Sequence, residues 1–278
     1  MTNEATVSFA KRYARAICHL NRAQTTSRLG LILGAGISGE LRIPRWTDLV
    51  CQLDQALNYD SAGAPDSYRA EQLFQHYKRK KASELAWTQT ARLDAAVTAG
   101  WRTLVASCLY KDFGIDSGFD VASYERMILS HPYMRSLGGL AKRAELVVTH
   151  NFDDALESSI DLYQSSDQDT SRKYYSFWRP EPFLRRNVVN IYHPNGFIPL
   201  HGHIKGSVSL ILTEANFADH LANTNTEEAH FILRHLADKT FLILGHSLSD
   251  GTLKNALRQH ANQRPAHVNY YVRNCPGS

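Results

Sequence analysis

Four short segments of this 278-residue chain combine reactive side chains with the backbone freedom to bring a ligand close. Gly34, Ala35 and Gly36 close the apolar run LGLIL. Two glycines after a buried strand leave positions where backbone amides can approach a pyrophosphate with no side chain in the way. Gly39 stands where the dinucleotide fingerprint has its third glycine, although glycine triplets also follow strands in sheets that bind no nucleotide. Thr149, His150, Asn151, Phe152 and Asp153 set an amide and a carboxylate two residues apart. An asparagine there can orient a water or a ribose hydroxyl, and either polar residue can equally cap a helix. LHGHIKG, residues 200–206, offers His201 ahead of Gly202 as a general base on a loop, with His193 of IYHPNG as its competitor. Among 13 histidines, any single one is more often structural than catalytic. GHSLSD at 245–250 is the fourth segment.

The elements that must position these segments follow from periodicity. LGLIL, ELVVT at 145–149 and TFLILG at 240–245 are short apolar runs ending in glycine or polar residues, the pattern of strands buried on both faces of a parallel sheet. Helical spacing is expected over 8–23, 46–58 with Thr47 or a neighbour as cap, 68–86, 91–110, 121–143, 153–162, 214–222, 226–238 and 250–262. Short strands are expected between 174 and 212, and a last strand at 267–272. The alternation predicts an α/β fold, a Rossmann-like doubly wound parallel sheet with a helical insertion subdomain at about 60–143 that closes over the cleft, all within a single domain spanning 1–278. In such a sheet the glycine and polar segments converge on the carboxyl edge of the strands, where ligands bind. The run Lys78, Arg79, Lys80, Lys81 reads as a solvated helix face rather than a phosphate patch.

Composition narrows the classes. Apolar types at 43% and charged types at 21% exclude a disordered or collagen-like chain. A net charge of +4, with basic and acidic residues interspersed, argues against a dedicated nucleic-acid binder. The four cysteines at 18, 51, 108 and 275 form no close pair, which fits reduced thiols rather than a zinc ribbon or redox motif. The opening MTNEATVSFAKRYAR lacks the apolar core of a signal peptide, and no stretch of about 18 apolar residues appears, so a soluble cytoplasmic protein is expected. No dehydrogenase signature accompanies the glycine loop, because the stretch about twenty residues on is helical instead of a strand ending in an acid.

Taken together, GAGIS, IPRW at 43–46, THNFDDALE at 149–157, LHGHIKGSVSLILTE at 200–214 and GHSLSDGTLKNAL at 245–257 resemble, in order and interval, the sirtuin-like fold. The pattern is most similar to the bacterial sirtuin-like family without a zinc module, known as NAD-consuming effectors in defence against phage. The resemblance spans residues 29 to about 260. It implies a diphosphate loop at Gly34, Ala35, Gly36 and Ser38, with Pro44 and Trp46 folding over the nicotinamide ribose. Asn151 resembles the family's catalytic asparagine, Asp153 the acid beside the nicotinamide pocket, and His201 the catalytic histidine; Thr149 joins the cofactor-binding set. Gly245, Ser247 and Asp250 resemble the loop that holds the adenosine half. Arg42 departs from the pattern, standing where the family usually has glycine.

The chemistry suits these residue types. Breaking the bond between nicotinamide and ribose creates an oxocarbenium-like centre, which needs a dry pocket, a group to align a nucleophile and a base near neutral pKa. Deacylating sirtuins carry two CxxC pairs around zinc, and this chain has neither pair. The resemblance therefore implies an NAD hydrolase with no metal, ahead of a protein deacylase or a non-catalytic NAD or ADP-ribose sensor. It also implies activation by assembly, as a homo-oligomer or with a separately encoded partner, away from membranes and without direct nucleic-acid binding.

Overall fold

The computed structural model describes residues 8–60, 63, 65–84, 90–113, 120–163, 173–199, 210, 227, 230–247, 251–264 and 266–272. Helix α1 (Ala14–Thr25) leads into β1 (Leu29–Leu33). The connection to the next strand carries α2 (Trp46–Leu57), α3 (Asp66–Glu84), α4 (Thr90–Leu109), α5 (Val121–Ser130) and α6 (Pro132–Arg143). Then come β2 (Leu146–Thr149), α7 (Ala155–Leu162), β3 (Tyr174–Phe177) and β4 (Val189–Tyr192). Helix α8 (230–238), β5 (Thr240–Leu244), α9 (Gly251–Gln263) and β6 (Tyr270–Val272) complete the described chain.

All the strand pairs are parallel, in the order β3-β4-β2-β1-β5-β6. Central β1 pairs Leu33 with Thr149 of β2 on one side and with Leu244 of β5 on the other. From β1 the chain builds outward through β2, then crosses back to lay β5 on the opposite flank. The reversal makes β1/β5 the switch point, the edge at which sheets of this kind bind their ligands. The α/β doubly wound sheet expected from the sequence is therefore the architecture observed.

Every β1 side chain is buried, and its alternation divides the core. Leu29, Leu31 and Leu33 face a layer with Val147 and Ile191, packed by Leu53 of α2, Leu73 of α3, Trp101 of α4, Tyr124 of α5, Leu137 of α6 and Ile160 of α7. Ile32 faces the other way with Val148, Phe241 and Ile243, against Phe231 and Leu236 of α8 and Leu253 of α9. The insertion helices thus share one hydrophobic cluster with a face of the sheet.

Three local expectations are adjusted. The helix expected over 121–143 is two helices, because Pro132 has no amide hydrogen to continue α5; it opens α6 instead, with His131 extended between them. Thr47 does not cap α2: Arg45 is the N-cap, without a side-chain bond, and the Thr47 hydroxyl donates to Asp66 Oδ2 at 2.7 Å, pinning α2 to α3. The last strand is confined to Tyr270–Val272. On the basic run, Lys78 reaches Asp94 at 3.3 Å and Lys81 reaches Glu84 at 2.6 Å, as on a solvated face. The helix expected at 214–222 lies outside the described residues. No helix among the described residues is long and apolar enough to cross a membrane.

Candidate active site

The loop leaving β1 turns at once into two short 3-10 segments, Ala35–Ile37 and Gly39–Leu41. Its glycines are explained by the neighbouring loop. The Gly34 amide donates to the Leu244 carbonyl at 3.0 Å and the Gly36 amide to the Gly245 carbonyl at 2.9 Å. A Cβ on Gly34 would lie 2.6 Å from the Gly245 oxygen, and one on Gly36 would lie 2.8 Å from it. Gly245 itself has φ +62°, and a Cβ there would meet the Ile37 nitrogen at 2.7 Å. The three glycines interlock two loops, backbone against backbone, across the switch point. The Ile37 and Ser38 amides also close internally, onto Gly34 and Ala35. The amides of Gly34, Gly36, Ile37 and Ser38 are thus engaged within the loop pair, so the glycines serve an approach of backbone to backbone. Arg42, where the resemblance expects glycine, keeps the left-handed conformation with φ +56°.

The β2 loop carries the polar cluster. Thr149 ends the strand, and its Oγ1 accepts the Asn151 amide hydrogen at 3.3 Å. The Asn151 carboxamide donates through Nδ2 to Ser38 Oγ at 2.9 Å, and Ser38 Oγ donates to Asp153 Oδ1 at 3.1 Å. A hydroxyl has one proton. Because Ser38 gives its own to the carboxylate, it can only accept from Asn151, and this fixes which end of the amide faces it. Asn151 Oδ1 is left buried with no hydrogen-bond partner among the described residues. Such an acceptor is unfavourable unless something donates to it.

Asp153 has a second duty, accepting the Ala155 amide hydrogen at 3.1 Å in the first turn of α7. Neither Asn151 nor Asp153 is the cap of α7, whose N-cap is Asp154 without a side-chain bond; Asp153 instead makes a two-residue turn bond just ahead of it. Burial pushes the Asp153 carboxyl up to about 6; the Ala155 amide and Ser38 hydroxyl oppose the rise, and the charges of Asp154 and Glu157 add to it.

Aromatic and apolar walls stand around the cluster. Trp46, at the start of α2 after half-buried Pro44, lies with its ring centroid 6.1 Å from that of Phe152. Across β1, the rings of His150 and His246 meet edge to face at 4.9 Å. Ser247 is exposed just beyond. The structure therefore brings together Gly34, Ala35, Gly36, Ser38, Trp46, Thr149, Asn151, Asp153, Gly245 and Ser247 at one edge. His201 and Asp250 lie outside the described residues.

His193 is fully buried, which bears on its candidacy as a base. Its Nε2 lies 2.7 Å from Glu157 Oε1, which also accepts from the Ser176 hydroxyl at 2.8 Å. Its ring stacks on Phe197 at 3.9 Å. His193 is anchored within the protein rather than presented to the cleft. Glu157 carries no sign of burial in the sequence, because its helical neighbours Asp153, Asp154 and Asp161 make that face read as solvated. Tyr110, directly after α4, and Tyr124 of α5, whose hydroxyls reach Asp154, give no sign either: an aromatic residue at an apolar position reads as core.

Fold and site together define a doubly wound α/β protein with a buried polar cluster at the carboxyl edge of its sheet. A family model described as SIR2-like domain matches residues 145–276, the half of the chain that holds β2 to β6. That likeness suggests NAD-related activity in general and leaves β1, its glycine loop and the helical insertion outside the match. No curated protein matches the chain. Among the described residues, no group of three or more His, Cys, Asp or Glu side chains is arranged to hold a metal ion.

Proposed function

We propose that this protein is an NAD glycohydrolase, cleaving the bond between nicotinamide and ribose to give ADP-ribose and nicotinamide. One observation carries the reading: an asparagine carboxamide just after β2 is oriented by Ser38 and Asp153 so that its buried oxygen awaits a donor. A water or a ribose hydroxyl is such a donor. Asn151 aligns the attacking water through Oδ1. Ser38 holds the amide in that orientation. Asp153, buried beside it, supplies the acid expected next to the nicotinamide amide. Trp46 and Phe152 form an apolar wall that excludes bulk water, which strengthens every polar contact inside. His201 receives the proton released as the water oxygen bonds the anomeric carbon and the departing nicotinamide takes the electron pair of the broken carbon–nitrogen bond. Pro44, Thr149, Gly245, Ser247 and Asp250 complete the binding surface for NAD.

Unrestrained NAD cleavage would kill the host cell, so the reading includes control by assembly. The active form is a homo-oligomer or a complex with a separately encoded partner, acting in the cytoplasm as an abortive-infection effector against phage. Size-exclusion chromatography with light scattering, on the chain alone and with its genomic neighbour, tests this part. A constitutively active monomer would sink it.

The deciding experiment is a fluorogenic NAD-cleavage assay on wild type and Asn151→Ala, with and without co-expressed neighbours. Cleavage lost in the variant establishes the hydrolase. NAD binding without cleavage under every condition favours the sensor or deacylase readings instead.

A further inference from the structure

Between β1 and β2, the insertion sends three tyrosine hydroxyls back to the strand-end loops. Tyr133 of α6 donates to the Ile37 carbonyl at 2.8 Å, on the β1 loop. Tyr124 of α5 donates to Asp154 Oδ1 at 3.0 Å, on the β2 loop. Tyr110, directly after α4, differs because its hydroxyl serves two loops at once. It donates to the Ile198 carbonyl at 2.9 Å on the β4 loop and accepts the Asp154 amide hydrogen at 3.2 Å on the β2 loop. Asp154 Oδ1 is 3.4 Å away, further than the carbonyl, so the single hydroxyl proton goes to Ile198.

A backbone bond closes the same joint: the Ile198 amide donates to the Phe152 carbonyl at 2.7 Å, between Asn151 and Asp153. The Tyr110 and Tyr124 rings are fully buried and meet edge to face at 5.8 Å. Burial raises both phenols well above their ordinary pKa, so each remains a neutral donor. A tyrosine placed only for packing needs one acceptor. Tyr110 uses donor and acceptor capacity on two loops that are far apart in the chain.

We infer that Tyr110 is a positioning residue of this site: its hydroxyl locks the β2 loop, which carries Asn151 and Asp153, against the β4 loop. The helical insertion thereby sets the geometry of the asparagine without touching the ligand. In its kinetic consequence this rests on the NAD reading above; in its structural consequence it does not.

The test compares Tyr110→Phe, which keeps the ring and removes one oxygen, with Tyr124→Phe, which removes an equally buried hydroxyl that donates to the β2 loop. Amide hydrogen exchange is followed at Asp154, Ile198 and, as a core reference, Leu31, and NAD cleavage is measured on the same samples. Tyr110→Phe is expected to speed exchange at both Asp154 and Ile198 at least tenfold relative to Leu31. It should lower kcat about tenfold with KM within twofold, the signature of misplacement rather than lost binding. Tyr124→Phe should leave Ile198 protected and kcat within twofold. Unchanged Ile198 exchange in Tyr110→Phe overturns the inference, as does a kcat that falls equally in both variants or stays level with the amides released. If wild type neither binds nor cleaves NAD, the functional reading fails, and the exchange pattern alone decides the joint.

Discussion

The two edges of the sheet handle polar groups in opposite ways. At the amino edge, buried Lys239 donates to Glu145 Oε2 at 2.6 Å, and Asn190 bonds the Arg185 amide at 2.9 Å and the Arg185 carbonyl at 3.0 Å. There Asn269 Oδ1 accepts the Phe241 amide hydrogen at 2.8 Å, and His267 Nε2 lies 2.9 Å from the Lys239 carbonyl. Each of these side chains closes a backbone or charge requirement of the fold. At the carboxyl edge, an asparagine oxygen is buried without a partner among the described residues and an acid is held above its usual range. The residues named at the first edge complete the fold's own hydrogen bonds, while Asn151 and Asp153 at the second keep a polar atom and a charge in unfavourable states, the pattern expected of a functional site.

That contrast can be broken by substitution. The largest effect is expected at Asn151→Ala: NAD cleavage falls at least about 10³-fold, a magnitude typical of losing one aligned polar group at a reacting centre, while circular dichroism and Tm barely change. Next, Gly245→Ala forces a Cβ onto the Ile37 backbone in a left-handed conformation. It should cost about 3 kcal/mol in chemical denaturation, from overpacking plus the left-handed penalty, and weaken NAD binding together with stability.

A third effect is a pH dependence. Asp153, raised to about 6, holds its proton more tightly folded than unfolded. Stability therefore falls as pH rises from about 4 to 6 and levels off above. Asp153→Asn removes this titration: it should raise Tm at pH 8 by more than at pH 4, and a wild-type activity change near pH 6 should vanish in it. Equal Tm shifts at both pH values would contradict the assignment.

At the other edge, Lys239→Met leaves Glu145, itself partly exposed, without its partner. About 2 kcal/mol of stability should be lost, yet kcat per folded molecule should hold; a drop in kcat would erase the distinction between the edges. Smallest of all, Arg42→Gly should add about 1 kcal/mol by relieving the left-handed residue, read as a small rise in Tm.

The strands were legible because parallel, doubly buried strands are near-continuous apolar runs, as LGLIL, LVVT and TFLIL are. The convergence of GAGIS, THNFD and the Gly245 segment followed from that topology. Bonds made across the chain were not legible. Ser38 was readable as a ligand residue, but its role between Asn151 and Asp153 depends on a register that only β1–β2 pairing creates. The glycine pattern signals room for a close approach, and a sequence cannot say whether backbone or phosphate is what approaches; here the β5 loop lies against Gly34 and Gly36. His193 looked as available as any other histidine until Glu157 and Phe197 enclosed it. Pro132 could have been read as a helix boundary, since the local rule for proline is explicit.

The register of β1 has a kinetic consequence. Gly30 aligns with Leu146 on one side, and Leu29 with Thr240 on the other. Both pairings close very long stretches of chain, and contacts of that kind form slowly. The interlocked loops at Gly34 and Gly245 require the second closure, and Ser38 with Asn151 requires the first. Until both closures have formed, the Ser38–Asn151–Asp153 cluster does not exist. In refolding experiments, activity should lag behind helical signal and return only with the final sheet.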